Sequence, residues 1–229
     1  MYIHEDKTDQ QWPLGGASRW WLHHALESLS KSLHGKLNIF QGEPQAILAK
    51  LAAENNASRV YWNRCYEPQS IERDGLIKSS LKEAGLDVQS FNGSLLWEPW
   101  QVLKKDGTPY KVFTPYYRRG CLQKTAPRKP LAVPAKMQLH KLEHNLSVAD
   151  LSLLPEIGWD KKIHEHWDIS EEGAKDRLDE FVFNGIQDYR EGRNFPNKKN
   201  VSRLSPYFHF GQISVNSAWY AANDAAALI

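Results

Sequence analysis

Apolar positions in the first ninety residues alternate between two periods. From Ser18 they recur at helical spacing through Trp21, Leu22, Ala25, Leu26, Leu29 and Leu33, and Gly35 ends the run. Leu37-Asn38-Ile39-Phe40 then reads as a strand. Pro44 opens a second helix with Ile47, Leu48, Leu51 and Ala52 on one face, and Arg59-Val60-Tyr61-Trp62-Asn63 reads as the next strand. Ser70 is positioned to cap a third helix carried by Ile71, Ile77, Leu81 and Ala84, with Gly85 as its stop and Asp87–Phe91 as a further strand. Repeated strand–helix units of this length predict a parallel sheet with helices on its faces. Met1-Tyr2-Ile3-His4 has the character of a strand's end, and an α/β unit does not open halfway through a strand. One strand and one helix are therefore expected to be missing ahead of it.

The pattern changes after Gly93. Asp106-Gly107 marks a turn in a lysine-bearing loop, and Thr114-Pro115 begins a short helix through Tyr116, Tyr117 and Leu122. Three prolines and two basic residues in 126–135 predict an extended connector, and the weakly patterned 136–158 a loop over another domain's surface. Ser170 caps a helix whose apolar face is Ala174, Leu178, Phe181, Val182, Ile186 and Tyr189, with Gly192 as its end. Ser214 caps a last helix through Ala218, Ala221, Ala222 and Ala225. So few helices leave apolar faces uncovered, so the helical part is expected to be unfinished. The expected division is an α/β domain over 1–125, a linker over 126–158 and a helical unit over 159–229.

Composition narrows the classes. The chain has 229 residues, 41% hydrophobic and 24% charged, with formal net charge +2, so a nucleic-acid contact needs a local basic patch rather than a global field. Two cysteines, Cys65 and Cys121, imply no disulfide framework and fit a reducing cytoplasm. No run of about 18 apolar residues is present to span a membrane. Nine Trp, nine Tyr and eight Phe supply either large aromatic cores or surfaces that stack on flat ligands. G-x-x-x-x-G-K-[ST] and G-x-G-x-x-G are both absent, which argues against a P-loop NTPase or an ordinary dinucleotide dehydrogenase. His23-His24 reads as boundary packing on a helix, and His164-x-His166 as surface histidines without a third ligand.

The most informative stretch is Val201-Ser202-Arg203-Leu204-Ser205-Pro206. Two hydroxyls and an arginine precede a helix start, with Ser205 as N-cap and Pro206 at the first helical position. Such a start suits a phosphate or pyrophosphate.

Three separated segments resemble the DNA photolyase/cryptochrome family, most closely its bacterial class I cyclobutane pyrimidine dimer photolyases. They are Tyr66-Glu67-Pro68 with Glu72-Arg73-Asp74; Tyr110-Lys111-Val112-Phe113-Thr114-Pro115-Tyr116; and Tyr189 through Arg193 and Pro196, continuing into Ser202–Pro206 and Gly211-Gln212-Ile213-Ser214. The resemblance implies a Rossmann-like parallel-sheet domain lacking its first strand, a linker, and the first helices of an all-α FAD-binding domain. It implies light-driven repair of pyrimidine dimers in UV-damaged DNA by electron transfer from reduced FAD. A cryptochrome-type blue-light photoreceptor that binds FAD without repair is the alternative. By the same resemblance Tyr189, Val201, Ser202, Arg203, Leu204 and Ser205 contact the flavin, Val201 standing where many relatives have threonine, and Arg193 contacts a DNA phosphate. The chain resembles a photolyase cut at both ends, and alone it is expected to bind FAD weakly and to be inactive. Folate-binding relatives place Asn and Glu where Gln69 and Ser70 stand, which disfavours folate as antenna chromophore and leaves a deazaflavin, a second flavin or none. A cytoplasmic monomer with no membrane partner completes the expectation.

Overall fold

The computed structural model of the chain describes residues 1–5 and 13–227. Strand β1 (Tyr2–His4) is followed by helix α1 (Gly16–Ser32) and strand β2 (Ile39–Gln41), which lies parallel to β1 with Tyr2 opposite Ile39. After α2 (Pro44–Glu54), strand β3 (Arg59–Asn63), helix α3 (Pro68–Glu83) and strand β4 (Asp87–Phe91) form a second unit, again parallel, with Arg59 opposite Asp87. The expected parallel sheet is thus present as two strand pairs. A cavity of about 330 Å³, lined by Ile3 of β1 and Val60 and Trp62 of β3 among others, lies between them.

Local chemistry explains the helix starts. The Glu43 carboxylate caps α2, accepting from the Gln45 and Ala46 N–H groups at 2.9 and 2.6 Å, and Pro44 follows at the first helical position. The caps expected at Ser18 and Ser70 are displaced. Helix α1 begins at Gly16 with Gly15 as an uncapped N-cap, and α3 begins at Pro68, whose fixed φ and missing N–H make it a better first residue than Ser70's neighbour.

Beyond β4, Leu103 and Pro109 bridge across the Asp106-Gly107 turn, where Gly107 takes the left-handed φ of +78°. Helix α4 (Phe113–Pro115) widens into a looser coil over Tyr116–Cys121. The connector after it is extended and tied to the C-terminal helix. Tyr220 donates to the Pro127 carbonyl at 2.5 Å, and Asn216 to the Arg128 carbonyl at 2.8 Å. The following loop lies on the first unit: Asn38 holds the His140 carbonyl and the Leu142 N–H, and Leu151 and Leu153 are buried against Leu22, Leu26 and Ile39.

The helical part comprises α5 (Lys161–His164), α6 (Glu171–Glu180), α7 (Tyr189–Gly192), α8 (Ser205–His209) and α9 (Val215–Ala226). Ser170 and Ser214 cap α6 and α9, as their positions predict. The single helix expected from Ser170 to Gly192 is divided. It loosens at Phe181–Gly185, where a Cβ on Gly185 would lie 2.9 Å from the Phe181 ring and 3.3 Å from the Lys199 carbonyl oxygen, and restarts at Tyr189. The helical faces are covered only in part, as so few helices imply: Phe183, Phe195 and Val201 stay 79%, 50% and 42% exposed. Trp20 and Trp21 of α1 pack with Ile169, Ala174, Leu178, Leu204 and Tyr207, burying each large side chain for about 1.5–3 kcal/mol. Trp21 Nε1 also donates to Gln212 Oε1 at 2.7 Å. Helix α1 therefore serves both layers: Leu22 and Leu26 face β2, and the two tryptophans face the helices.

Candidate phosphate-binding site

The segment leading to Val201 is held from beneath by Asn200. This side chain is buried, and its Nδ2 donates to the Gly185 carbonyl at 3.2 Å. Gly192 makes room for it, since a Cβ there would sit 2.2 Å from Asn200 Oδ1. The chain then reverses. Ser202 Oγ accepts from the Leu204 N–H at 3.4 Å, Arg203 takes the left-handed φ of +54°, and Leu204 enters the core at 3% exposure. A non-glycine residue in that region is uncommon and concentrates at functional turns.

Helix α8 begins at Ser205 with Leu204 as its N-cap, and no side chain caps it. The expected Ser205 cap is therefore corrected. The reversal at Arg203 shifts the helix start by one residue, and Ser202 meets the Leu204 N–H instead. Helix α8 has only five residues, so its aligned peptide dipoles contribute little, and side chains supply the positive charge.

Those side chains surround a hollow of about 110 Å³, lined by Arg177, Glu180, Phe181, Lys199, Val201, Ser202 and Arg203. Three cations face one carboxylate. Arg177 is positioned by the His166 carbonyl at 3.2 Å and by Glu180 at 3.6 Å, and its guanidinium lies over Trp167 at 5.4 Å.

Of the residues singled out in the sequence, Val201, Ser202 and Arg203 line the hollow together. Leu204 anchors the segment from the core, and Ser205 is exposed and outside the lining. Tyr189 stands at the start of α7, edge-on to Phe181 at 5.7 Å, and so touches a wall of the hollow rather than its interior. Arg193 is exposed with its guanidinium 5.5 Å from the Tyr189 ring. Arg177, Glu180 and Lys199 were missed. Their only local signals are an i,i+3 pair on α6 and the Lys198-Lys199 doublet.

A second hollow, of about 250 Å³, opens in the α/β part around Trp62, Arg64, Tyr66 and Trp100. Beside it, buried Glu98 accepts from Arg64 Nε and the Tyr66 hydroxyl, each at 2.7 Å. The Glu98 hydrogen bond raises the Arg64 pKa, whereas burial first and Glu98 second push the Tyr66 phenol up. Gln69 and Ser70 do not line this hollow.

Two parallel βαβ units with a helical layer seated on α1 define an α/β protein with an appended helical part. The sequence pattern of DNA photolyase matches residues 1–135, more than half of the chain, and the chain belongs to the DNA photolyase family. It is 39% identical over 228 residues to a deoxyribodipyrimidine photo-lyase of Agrobacterium fabrum, covering 96% of this chain and 46% of that protein. It is 29% identical over 235 residues to cryptochrome-2 of Arabidopsis thaliana, covering 97% of this chain and 38% of that one. The crystal structure of a bacterial class III photolyase from Agrobacterium tumefaciens superposes with a TM-score of 0.88 at 38% identity, covering 96% of this chain and 46% of that chain. That neighbour is described as class III, whereas the motifs resemble class I. The chain spans less than half the length of each of these proteins. Among the described residues, no helix is long and apolar enough to cross a membrane.

Proposed function

We propose that this chain carries the α/β unit and the phosphate-holding end of the flavin site of a light-driven enzyme that repairs cyclobutane pyrimidine dimers in DNA through FAD. The observation that carries this reading is the hollow at Val201–Arg203. Arg203, Lys199 and Arg177 supply positive charge, and Ser202 keeps its O–H available while its oxygen accepts from Leu204. Charged donors around a small concavity suit the oxygens of a diphosphate. The volume, about 110 Å³, accommodates phosphates and lies well below the roughly 300–1,000 Å³ of pockets that enclose a whole ligand. The described residues thus fit the diphosphate of FAD and do not wall its rings, in keeping with weak binding by this chain alone. The chemistry FAD supplies when bound is light-driven donation of an electron to the dimer, which splits and returns it. Arg190, Arg193 and Lys198 are exposed cations in one short stretch, a local patch suited to DNA phosphates next to a flipped-out dimer. The aromatic hollow at Trp62, Tyr66 and Trp100 is the candidate place for an antenna chromophore. Repair is favoured over a photoreceptor role by the higher identity to the photo-lyase, 39% against 29% for cryptochrome-2.

The test is a titration of the chain with FAD, read by flavin fluorescence, with pyrophosphate as competitor. Weak binding that pyrophosphate displaces and that falls at least tenfold in Arg203→Ala supports the proposal. Failure to bind any flavin, or binding indifferent to pyrophosphate and to Arg203→Ala, refutes the cofactor assignment.

A further inference from the structure

The helix α1 carries a second group of side chains, outside the flavin and DNA readings. His23, His24 and Glu27 stand at i, i+1 and i+4, and one donor atom from each lies within 4.8 Å of the others. His23 Nε2 is 3.5 Å from Glu27 Oε1, and His24 Nδ1 is 3.4 Å from Glu27 Oε2. A charge-assisted hydrogen bond closes to about 2.7–2.9 Å. Two bonds of about 2.1 Å to one tetrahedral zinc ion hold their donor atoms about 3.4 Å apart. Glu27 bridges the two imidazoles through its two oxygens, the one to His24 in a long hydrogen bond, and an ion held by one atom of each residue draws donor atoms now within 4.8 Å to about 3.4 Å of one another.

The rings are already oriented. His23 is 7% exposed, and His24 packs edge-on to buried Trp20 at 5.1 Å between ring centroids. A third imidazole arrives from α5: the His164 ring lies 5.0 Å from that of His24. His164 and His166 read in the sequence as surface histidines without a third ligand, and the fold sets His164 beside His24. Glu27 is 45% exposed, which leaves an ion a path from solvent.

We propose that His23, His24 and Glu27, with His164 alongside, form a binding site for a zinc-type divalent transition metal. His23 Nδ1 is buried without a hydrogen-bond partner among the described residues, so Nε2 coordination leaves its N–H unsupported. Sites lacking that outer support bind about 10–100-fold more weakly, which makes this an exchangeable site rather than a permanent structural one.

The test is titration of the whole chain with Co²⁺, read by the visible absorption of tetrahedral cobalt, followed by displacement with Zn²⁺. The expected result is one ion per chain, at least tenfold weaker binding in His24→Ala and in Glu27→Gln, and no change in His34→Ala or Cys65→Ser. Imidazole nitrogen spectra of the unmutated chain, with Zn²⁺ added, give a readout that needs no variant: the rings of His23, His24 and His164 should shift. Absence of the cobalt bands, binding indifferent to His24→Ala, loss of binding in Cys65→Ser, or shifts confined to other histidines each overturn the proposal.

Discussion

Replacing Gly192 by alanine should destabilise the protein by about 2 kcal/mol. The added Cβ would lie 2.2 Å from Asn200 Oδ1 and 2.6 Å from Asn200 Cβ. Neither atom yields easily, because Asn200 is 8% exposed and its amide holds the Gly185 carbonyl. Overpacking of this kind costs about 1–3 kcal/mol. Losing the Asn200–Gly185 bond costs about 0.5–1.5 kcal/mol, and exchanging glycine for alanine in a helix returns about 0.5–1 kcal/mol. The same exchange at Gly75 should have the opposite sign. A Cβ there meets nothing within 4 Å, so Gly75→Ala in α3 should stabilise by about 0.5–1 kcal/mol. Urea unfolding followed by tryptophan fluorescence measures both. Gly192→Ala should also weaken pyrophosphate binding, since Asn200 immediately precedes the segment lining the hollow. A Gly192→Ala protein as stable as the unmutated chain would refute the packing argument.

Three further outcomes follow from the geometry. Ser170→Ala and Ser214→Ala should each cost about 1 kcal/mol by loss of a cap, whereas Ser205→Ala, which caps nothing, should stay within about 0.5 kcal/mol in the same urea assay. Glu98→Ala should cost about 1.5–3 kcal/mol, measured by thermal and urea unfolding, because it strips a charged acceptor from Arg64 and Tyr66. Burial, aided by Glu5, pushes the Tyr2 phenol from its ordinary value of 10.0 up to about 12. The folded state then keeps a proton that the unfolded chain releases, so stability is full below pH 10 and falls as pH rises towards about 12. Tyr2→Phe should remove that share of the alkaline loss.

Much of the α/β half was legible because its information is local. Alternation in Arg59–Asn63 and Asp87–Phe91 marks strands with the bounds observed, and Ser170 and Ser214 act as caps because a short hydroxyl reaches only the next turn. What was not legible depends on contacts between distant segments. The break after Glu180 falls where Asn200, distant in sequence, donates to the Gly185 carbonyl, and no period within α6 announces it. The Trp20–Trp21 face of α1 covers Ala174, Leu178 and Tyr207, a partner that no period within the helices announces, while Phe183 and Phe195 stay exposed. The run Val201–Ser205 was found as a motif, but the charge that makes its hollow basic comes partly from Arg177 on another helix. The Ser205 cap was misplaced because the left-handed turn at Arg203, a conformation few arginines adopt, moves the helix start.

The most direct measurement is an amide NMR titration of the chain with inorganic pyrophosphate. The account predicts saturable shifts at Lys199, Val201, Ser202 and Arg203, and affinity at least tenfold weaker in Arg203→Ala. Shifts confined to other surfaces, or a titration that Arg203→Ala leaves unchanged, would contradict it.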